Sequence, residues 1–271
     1  METIRFDELN LDPRILRAVT DMGFEAASPI QAQAIPVEME GHDMIGQAQT
    51  GTGKTAAFGI PLLMKMDPEN RKTQAMILCP TRELAIQVAE ELRRLAKYMS
   101  GIKILPVYGG QEIVKQIRSL KGGVQIIVGT PGRVMDHMRR KTIRTDAIHT
   151  VVLDEADEML DMGFLEDIER IAEAMPETKQ TLFFSATMSP EINRLVSRFM
   201  KEPIQISIER PTLTVPTIEQ VYYEVVFSSR IEVLSRLLDT GKIKMGLVFA
   251  NTKKVVDDVV DGLTARGYPV D

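Results

Sequence analysis

The sequence contains no tryptophan and a single cysteine, and aromatic residues make up only 5% of it. One cysteine excludes a disulfide within the chain. Cys79 lies in the apolar run Ala75-Met76-Ile77-Leu78-Cys79 and reads as a small core residue. With so few rings, the core must be aliphatic. No apolar run approaches the ~20 residues of a membrane span. Met1-Glu2-Thr3-Ile4-Arg5 does not open like a secretory signal. An excess of positive charge is missing too. The formal net charge is −5, which excludes nucleic-acid binding by a bulk basic field and disfavours an anionic membrane surface. The expectation is a cytoplasmic protein with no membrane partner, in which any nucleic-acid contact is local. The three histidines, His42, His137 and His149, show no metal-ligand spacing and read as surface or capping residues. Met159, Met162 and Met175 read as core filler.

What is present is a globular composition, with 44% apolar and 26% charged residues. The 271 residues allow one large domain or two smaller ones. Short apolar runs recur at Ala75 to Cys79, Ile102 to Val107, Val124 to Val128, Val151 to Leu153 and Thr181 to Phe184. They are nearly continuous and often β-branched, as strands buried on both faces of a parallel sheet are. Helical patterns lie between them. In Arg82 to Tyr98, for example, Leu84, Val88, Leu92 and Leu95 share a stripe. Strands alternating with helices predict an α/β fold with a parallel sheet. The first 40 or so residues read as helical. Prolines and a lost period mark residues 208–217 as a linker. Beyond it, Ile218 to Val226 and Gly246 to Ala250 read as strands, each followed by a helix. That βαβα unit is too small to close a core. The expected organisation is therefore a first domain over 1–207, a linker over 208–217 and an incomplete second domain over 218–271.

Ala48-Gln49-Thr50-Gly51-Thr52-Gly53-Lys54-Thr55 matches the P-loop pattern G-x-x-x-x-G-K-[ST], with Ala48 in place of the first glycine. It lies between a short strand candidate, Asp43 to Ile45, and a helical pattern, Ala56 to Met66. Gly51 and Gly53 let the backbone wrap so that its N–H groups face phosphate oxygens. The following helix offers its positive N-terminus to the same anion. Lys54 supplies a point charge for the β- and γ-phosphates, and the Thr55 hydroxyl can ligate Mg²⁺. Val151-Val152-Leu153-Asp154-Glu155-Ala156-Asp157 is an apolar strand ending in carboxylates. In such a segment Asp154 would hold the magnesium and Glu155 would orient or deprotonate the attacking water. ATP and Mg²⁺ are the expected cofactors. Either segment alone has a plainer reading, as a Gly/Thr-rich turn or an acidic helix start. The two together do not.

Further segments stand in order around these two. They are Gly23-Phe24-Glu25-Ala26-Ala27-Ser28-Pro29-Ile30-Gln31, Pro80-Thr81-Arg82-Glu83-Leu84, Gly109-Gly110, Thr130-Pro131-Gly132-Arg133, Asp154-Glu155-Ala156-Asp157 and Ser185-Ala186-Thr187. The set resembles the DEAD-box ATP-dependent RNA helicases of bacterial type, over essentially the whole chain. The resemblance implies a RecA-like domain followed by the start of a second one. It implies that Gln31 reads adenine, that Phe6 stacks on the base, and that Gln49 to Thr55 hold the phosphates. Thr81, Arg82, Gly110, Thr130, Gly132 and Arg133 match positions that touch the RNA backbone without reading sequence. Asp157, Ser185 and Thr187 match the family's coupling residues. Ala27 departs from the family's usual proline. The implied partner is RNA, and protein partners in RNA metabolism are compatible with it.

Val248-Phe249-Ala250-Asn251-Thr252 resembles the first segment of the family's second domain, and no His-Arg-x-Gly-Arg-x-x-Arg segment follows. Arginine fingers from such a segment supply on the order of 10³–10⁵ in rate. The expectation for this chain is ATP and RNA binding with little or no turnover or unwinding. Two readings stay open. One is a helicase. The other is a nucleotide-dependent clamp that holds RNA or protein without catalysis.

Overall fold

A computed structural model of the chain describes residues 4–49, 51–208, 219, 221–241, 243 and 245–270. Thr50, Ile218 and most of the expected linker 208–217 lie outside the described residues. The chain divides into two compact units, Met1–Arg210 and Pro211–Asp271.

In chain order the first unit runs through a 3₁₀ turn (Phe6–Glu8), α1 (Pro13–Asp21), α2 (Pro29–Met39), β1 (Met44–Gln47), α3 (Lys54–Met64), β2 (Ala75–Leu78), α4 (Arg82–Leu95) and β3 (Ile104–Val107). It continues with α5 (Ile113–Lys121), β4 (Ile126–Gly129), α6 (Pro131–Arg139), β5 (Thr150–Asp154), α7 (Ala156–Asp161), α8 (Leu165–Glu173), β6 (Gln180–Ser185), α9 (Pro190–Phe199) and β7 (Ile204–Ser207). The seven strands form one sheet in the order β3-β4-β2-β5-β6-β1-β7. Every pairing is parallel. The α/β expectation is met.

Alternation along the strands builds two cores. Met44, Ala75, Ile77, Ile126, Val128, Val152, Leu182 and Phe184 join α1 to α4 in one cluster. Their neighbours Ile45, Met76, Leu78, Ile127, Val151, Leu153 and Phe183 join α6 to α9 in the other. Burial on both faces is why β2, β4, β5 and β6 are fully buried and read as unbroken apolar runs. Gly46 in β1 is a packing requirement, because a Cβ there would fall on the Phe184 ring.

Two expectations need correction. The edge strand β7 was not foreseen. Only Ile206 of it is buried, so it carries little apolar signal, and its pairing with β1 holds it by backbone hydrogen bonds. In the second unit, α10 (Arg230–Asp239) and α11 (Lys253–Thr264) form, but the strands expected at 218–226 and 246–250 do not appear among the described residues. A strand exists through its ladder partners, and among the described residues these segments have none. Tyr222 is 86% exposed and Phe249 87%. Met162, expected in the core, is exposed, while Met159 and Met175 are buried. No described helix is long and apolar enough to cross a membrane.

Asp43 ties the sheet together at the start of β1. Its Oδ1 accepts from the Thr181 N–H at 2.7 Å and its Oδ2 from the Lys201 N–H at 2.7 Å. Asp43→Ala strips two backbone donors of their acceptor, and a buried unsatisfied donor costs about 1–3 kcal/mol. We expect a loss of ~2–4 kcal/mol in chemical denaturation, and Asp43→Asn to retain part of it. An unchanged midpoint for Asp43→Ala would contradict this brace.

Candidate functional site

In a sheet with every strand parallel, each strand's carboxyl end opens onto the same edge, where open α/β sheets bind ligands. The strand order divides the expected site residues into two groups. Those on β1, β5 and β6 lead into Gln49 to Thr55, Asp154 to Asp157 and Ser185 to Thr187. Those on β2, β3 and β4 lead into Thr81 and Arg82, Gly110, and Thr130 to Arg133. The expected phosphate residues therefore occupy one half of the edge and the expected RNA residues the other.

In the first half, Gly51 and Gly53 adopt positive φ of 76° and 88°, which favours glycine. Gly53 is the residue before α3. A Cβ on it would collide with the Gln31 amide. The loop's carbonyls are held from outside. Ser28 Oγ donates to the Thr52 carbonyl at 2.8 Å, and Gln31 Nε2 to the Gly53 carbonyl at 3.0 Å. Gln31 Oε1 in turn accepts from the Ser28 N–H at 2.8 Å. Thr52 Oγ1 closes the turn on the Gln49 carbonyl at 2.8 Å. These bonds engage the Gln49, Thr52 and Gly53 carbonyls. Gln31 thus braces the loop with one donor and one acceptor, leaving one N–H and one lone pair of its amide. Ser28 had not been given a role, although Ser-x-x-Gln at a helix start is a capping-box signal.

Phe6 is brought to the same corner, because Arg5 pairs with Ala26 and the Ala27 N–H donates to the Ile4 carbonyl. Its ring is 2% exposed and stacked on Phe24 at 6.4 Å, whereas Phe24 is 38% exposed. The accessible face of this aromatic pair belongs to Phe24.

Lys54 and Asp154 are the centre of the site. Both are buried, 7% and 3% exposed. Lys54 Nζ lies 3.9 Å from Asp154 Oδ1, close enough to attract and too far to hydrogen-bond. Neither atom has a hydrogen-bond partner. Burial pushes the Asp154 carboxyl up to about 6, against the pull of Lys54. Burial also raises the half-buried Glu155, which stands at φ 55° between β5 and α7. Glu91 on α4 is a residue the sequence did not reveal. Burial raises its carboxyl, while a hydrogen bond with the Thr55 side chain works against that rise.

Asp157 links β5 to β6. Its Oδ2 accepts from the Ala186 N–H at 3.2 Å, the Thr187 N–H at 2.9 Å and Thr187 Oγ1 at 2.9 Å. Ser185 Oγ donates to the Thr187 carbonyl at 2.8 Å. Burial alone would raise the Asp157 carboxyl, but the bonds from Thr187 and Ser185 hold it below its ordinary value.

In the other half, Thr81 caps α4 by accepting from the Leu84 N–H at 3.2 Å, while the Thr130 side chain forms no such cap on α6. Arg82 is exposed beside Gly110 and pairs with Glu83 at 2.9 Å. Among the described residues Arg133 binds no carboxylate. Its Nη1 donates to the Gln111 carbonyl at 3.0 Å and Gln116 Oε1 at 3.2 Å. Gly132 is exposed. His137, expected near the surface, is 0% exposed and sits between Gln116 and Thr142, so it is a satisfied core histidine with its protonation disfavoured by burial. Among the described residues no cluster of three or more His, Cys, Asp or Glu could hold a metal by itself. A cation here would need ligand atoms beyond the protein's carboxylates.

Residues 28–195 match the family model described as DEAD/DEAH box helicase. The chain belongs to that family. It is 54% identical over 263 residues to the "DEAD-box ATP-dependent RNA helicase CshA" of Bacillus cereus, covering 97% of this chain and 50% of the relative. It is 51% identical over 266 residues to the protein of the same name from Bacillus subtilis, covering 98% of this chain and 54% of the relative. The chain thus spans about half the length of the curated relatives it matches. Among solved structures it is similar to a DEAD box protein from the hyperthermophile Methanococcus jannaschii, with a TM-score of 0.74, 42% identity, and coverage of 99% of this chain and 72% of that one.

The titration of Asp154 is testable in this DEAD-box chain without ligand. A carboxyl raised in the folded state stabilises the fold fully below its ordinary value near 3.8, and that stability is lost as pH rises through about 6. Asp154→Asn removes the penalty. We expect the variant to exceed the wild type by on the order of 2 kcal/mol at pH 8 and to match it near pH 4. Denaturant melts at both values check this, and a variant less stable than wild type at pH 8 would refute it.

Proposed function

We propose that this chain is the nucleotide-binding part of an ATP-dependent RNA helicase. The observation behind this reading is the buried pair of Lys54 Nζ and Asp154 Oδ1, neither atom with a hydrogen-bond partner among the described residues, behind the Gly51–Gly53 turn. Such atoms suit a charged guest that brings the missing partners. ATP brings phosphate oxygens for Lys54, for the backbone N–H groups of Gln49 to Gly53 and for the N-terminus of α3. Thr55 and Asp154 would hold Mg²⁺, which neutralises charge on the phosphates when bound. Glu155, adjacent to Asp154 and less buried, orients or deprotonates the attacking water. Gln31 offers its spare N–H and lone pair to adenine, with Phe6 and its partner Phe24 as the adjoining apolar wall. Asp157, Ser185 and Thr187 link hydrolysis to domain closure, a role supported by the bonds of Asp157 to Ala186 and Thr187. Thr81, Arg82, Gly110, Thr130, Gly132 and Arg133 contact the RNA backbone, through a local surface that suits a chain of net charge −5.

We assign 1–207 to a RecA-like domain, 208–217 to a linker and 218–271 to the beginning of a second RecA-like domain, acting in the cytoplasm. By itself the 271-residue chain, which contains no His-Arg-x-Gly-Arg-x-x-Arg segment, binds nucleotide with little turnover and no duplex unwinding.

Two measurements test this reading. The first is binding of fluorescent ATP with Mg²⁺, followed by turnover with and without single-stranded RNA. We expect saturable binding weakened by tenfold or more in Lys54→Ala, since a charged hydrogen bond is worth roughly 1.5–3 kcal/mol. Turnover should stay at the level of Glu155→Gln. Absence of binding would overturn the nucleotide site. RNA-stimulated turnover that Glu155→Gln abolishes would overturn the clamp-like behaviour of this chain. The second is the ratio of ATP to GTP affinity. Gln31→Ala should narrow it as well as weaken both nucleotides. An unchanged ratio would leave Gln31 as a brace of the loop only.

A further inference from the structure

A second polar cavity, of about 410 Å³, opens at the opposite edge of the sheet. Asp43 precedes β1, Thr150 opens β5 and Gln180 opens β6, and all three line it. The strands are four to six residues long, which puts this cavity on the order of 15 Å from the phosphate loop.

Its lining concentrates positive charge. Lys65, Lys179 and Lys201 all face it, with His149 beside them. Among the described residues none of the three ammonium groups is bonded to a carboxylate. Lys65 Nζ donates to the Glu38 carbonyl at 2.5 Å and to Gln180 Oε1 at 2.6 Å. Lys179 Nζ donates to the Pro176 carbonyl at 3.4 Å, and Lys201 Nζ to the Glu177 carbonyl at 3.3 Å. The acids nearby, Asp43 and Glu177, offset three lysines only in part, and their carboxylates bond to none of the ammonium groups. Asp43 spends both oxygens on the Thr181 and Lys201 N–H groups. Glu177 is exposed. Glu38 is wholly buried, and that burial pushes its carboxyl well above its ordinary value against the pull of Lys65. The cations feel one another: burial lowers Lys179, Asp43 opposes that, Lys201 adds to it and Glu177 works against it, while burial and then Lys65 lower His149. Partly desolvated ammonium groups without carboxylate partners gain most from an anion that accepts several hydrogen bonds.

We propose that this cavity is a binding site for a small anion with two adjacent phosphoryl groups, distinct from the phosphate loop. Pyrophosphate carries up to four charges and enough acceptor oxygens for three lysines. The same chemistry can arrive free or on a nucleoside diphosphate.

The test uses the full chain with Lys54→Ala, which removes the loop lysine. Pyrophosphate and ADP are titrated separately by calorimetry at low salt, then again after adding Lys179→Gln or Lys201→Gln. Both lysines are at least partly exposed, and thermal melts confirm folding. The proposal predicts 1:1 pyrophosphate binding that persists in Lys54→Ala and weakens about tenfold with either added substitution. Equal affinity for ADP identifies the phosphoryls as the whole ligand, and tighter ADP binding adds a nucleoside contact. Either supports the site. Loss of binding in Lys54→Ala, or an affinity indifferent to both added substitutions, overturns it.

Discussion

Two opposite charges are buried in this fold without reaching each other. At the 3.9 Å between Lys54 and Asp154, an effective dielectric of ~20 gives an attraction of about 4 kcal/mol. Removing two ions from water costs several kcal/mol for each. The attraction does not offset that, and neither atom finds a hydrogen bond. The raised Asp154 carboxyl reports the deficit. Such a site is at its most stable with a guest present. The rigid surroundings supply the constraint: β5 and α3 are packed into the cores, and the Ser28–Gln31 brace holds the loop between them. A looser site would let Lys54 swing to Asp154 or to solvent and relieve the cost.

The parallel sheet turns this local tension into an organised edge. Each strand delivers its following loop to the same side, and the order β3-β4-β2-β5-β6-β1-β7 sorts those loops by the ligand each is proposed to meet. Asp157 stands beside the acidic pair at the end of β5 and grips the segment after β6 through two backbone N–H groups and the Thr187 hydroxyl. These bonds join the segment after β5 to the segment after the adjacent strand β6.

Much of this was legible in the residues. Gly51-Thr52-Gly53-Lys54 and Val151-Val152-Leu153-Asp154 announced their chemistry because backbone freedom, charge and burial are local properties. The central strands were legible because burial on both faces leaves nothing polar to interrupt them. Strand order was not, since parallel crossovers of similar length fit several arrangements. The edge strand β7 escaped because one buried residue, Ile206, makes no pattern. His137 and Met162 were misplaced because their burial depends on partners contributed from distant segments or absent on their own helix face. The segments 221–226 and 246–250 have strand composition, but composition supplies no ladder. The resemblance implies that Phe6 stacks on a base, but its burial against Phe24 depends on a neighbour that the spacing to Gln31 does not reveal.

The central claim is that the Lys54–Asp154 pair is held apart for a phosphate and its cation. Carboxyl-carbon NMR of Asp154, titrated with and without Mg²⁺ and ATP, tests it most directly. The account predicts a midpoint near 6 in the free protein and a carboxylate that stays ionised through the acid range while ligand is bound. The same midpoint in both states would show that nothing charged enters between the two residues, and would contradict it.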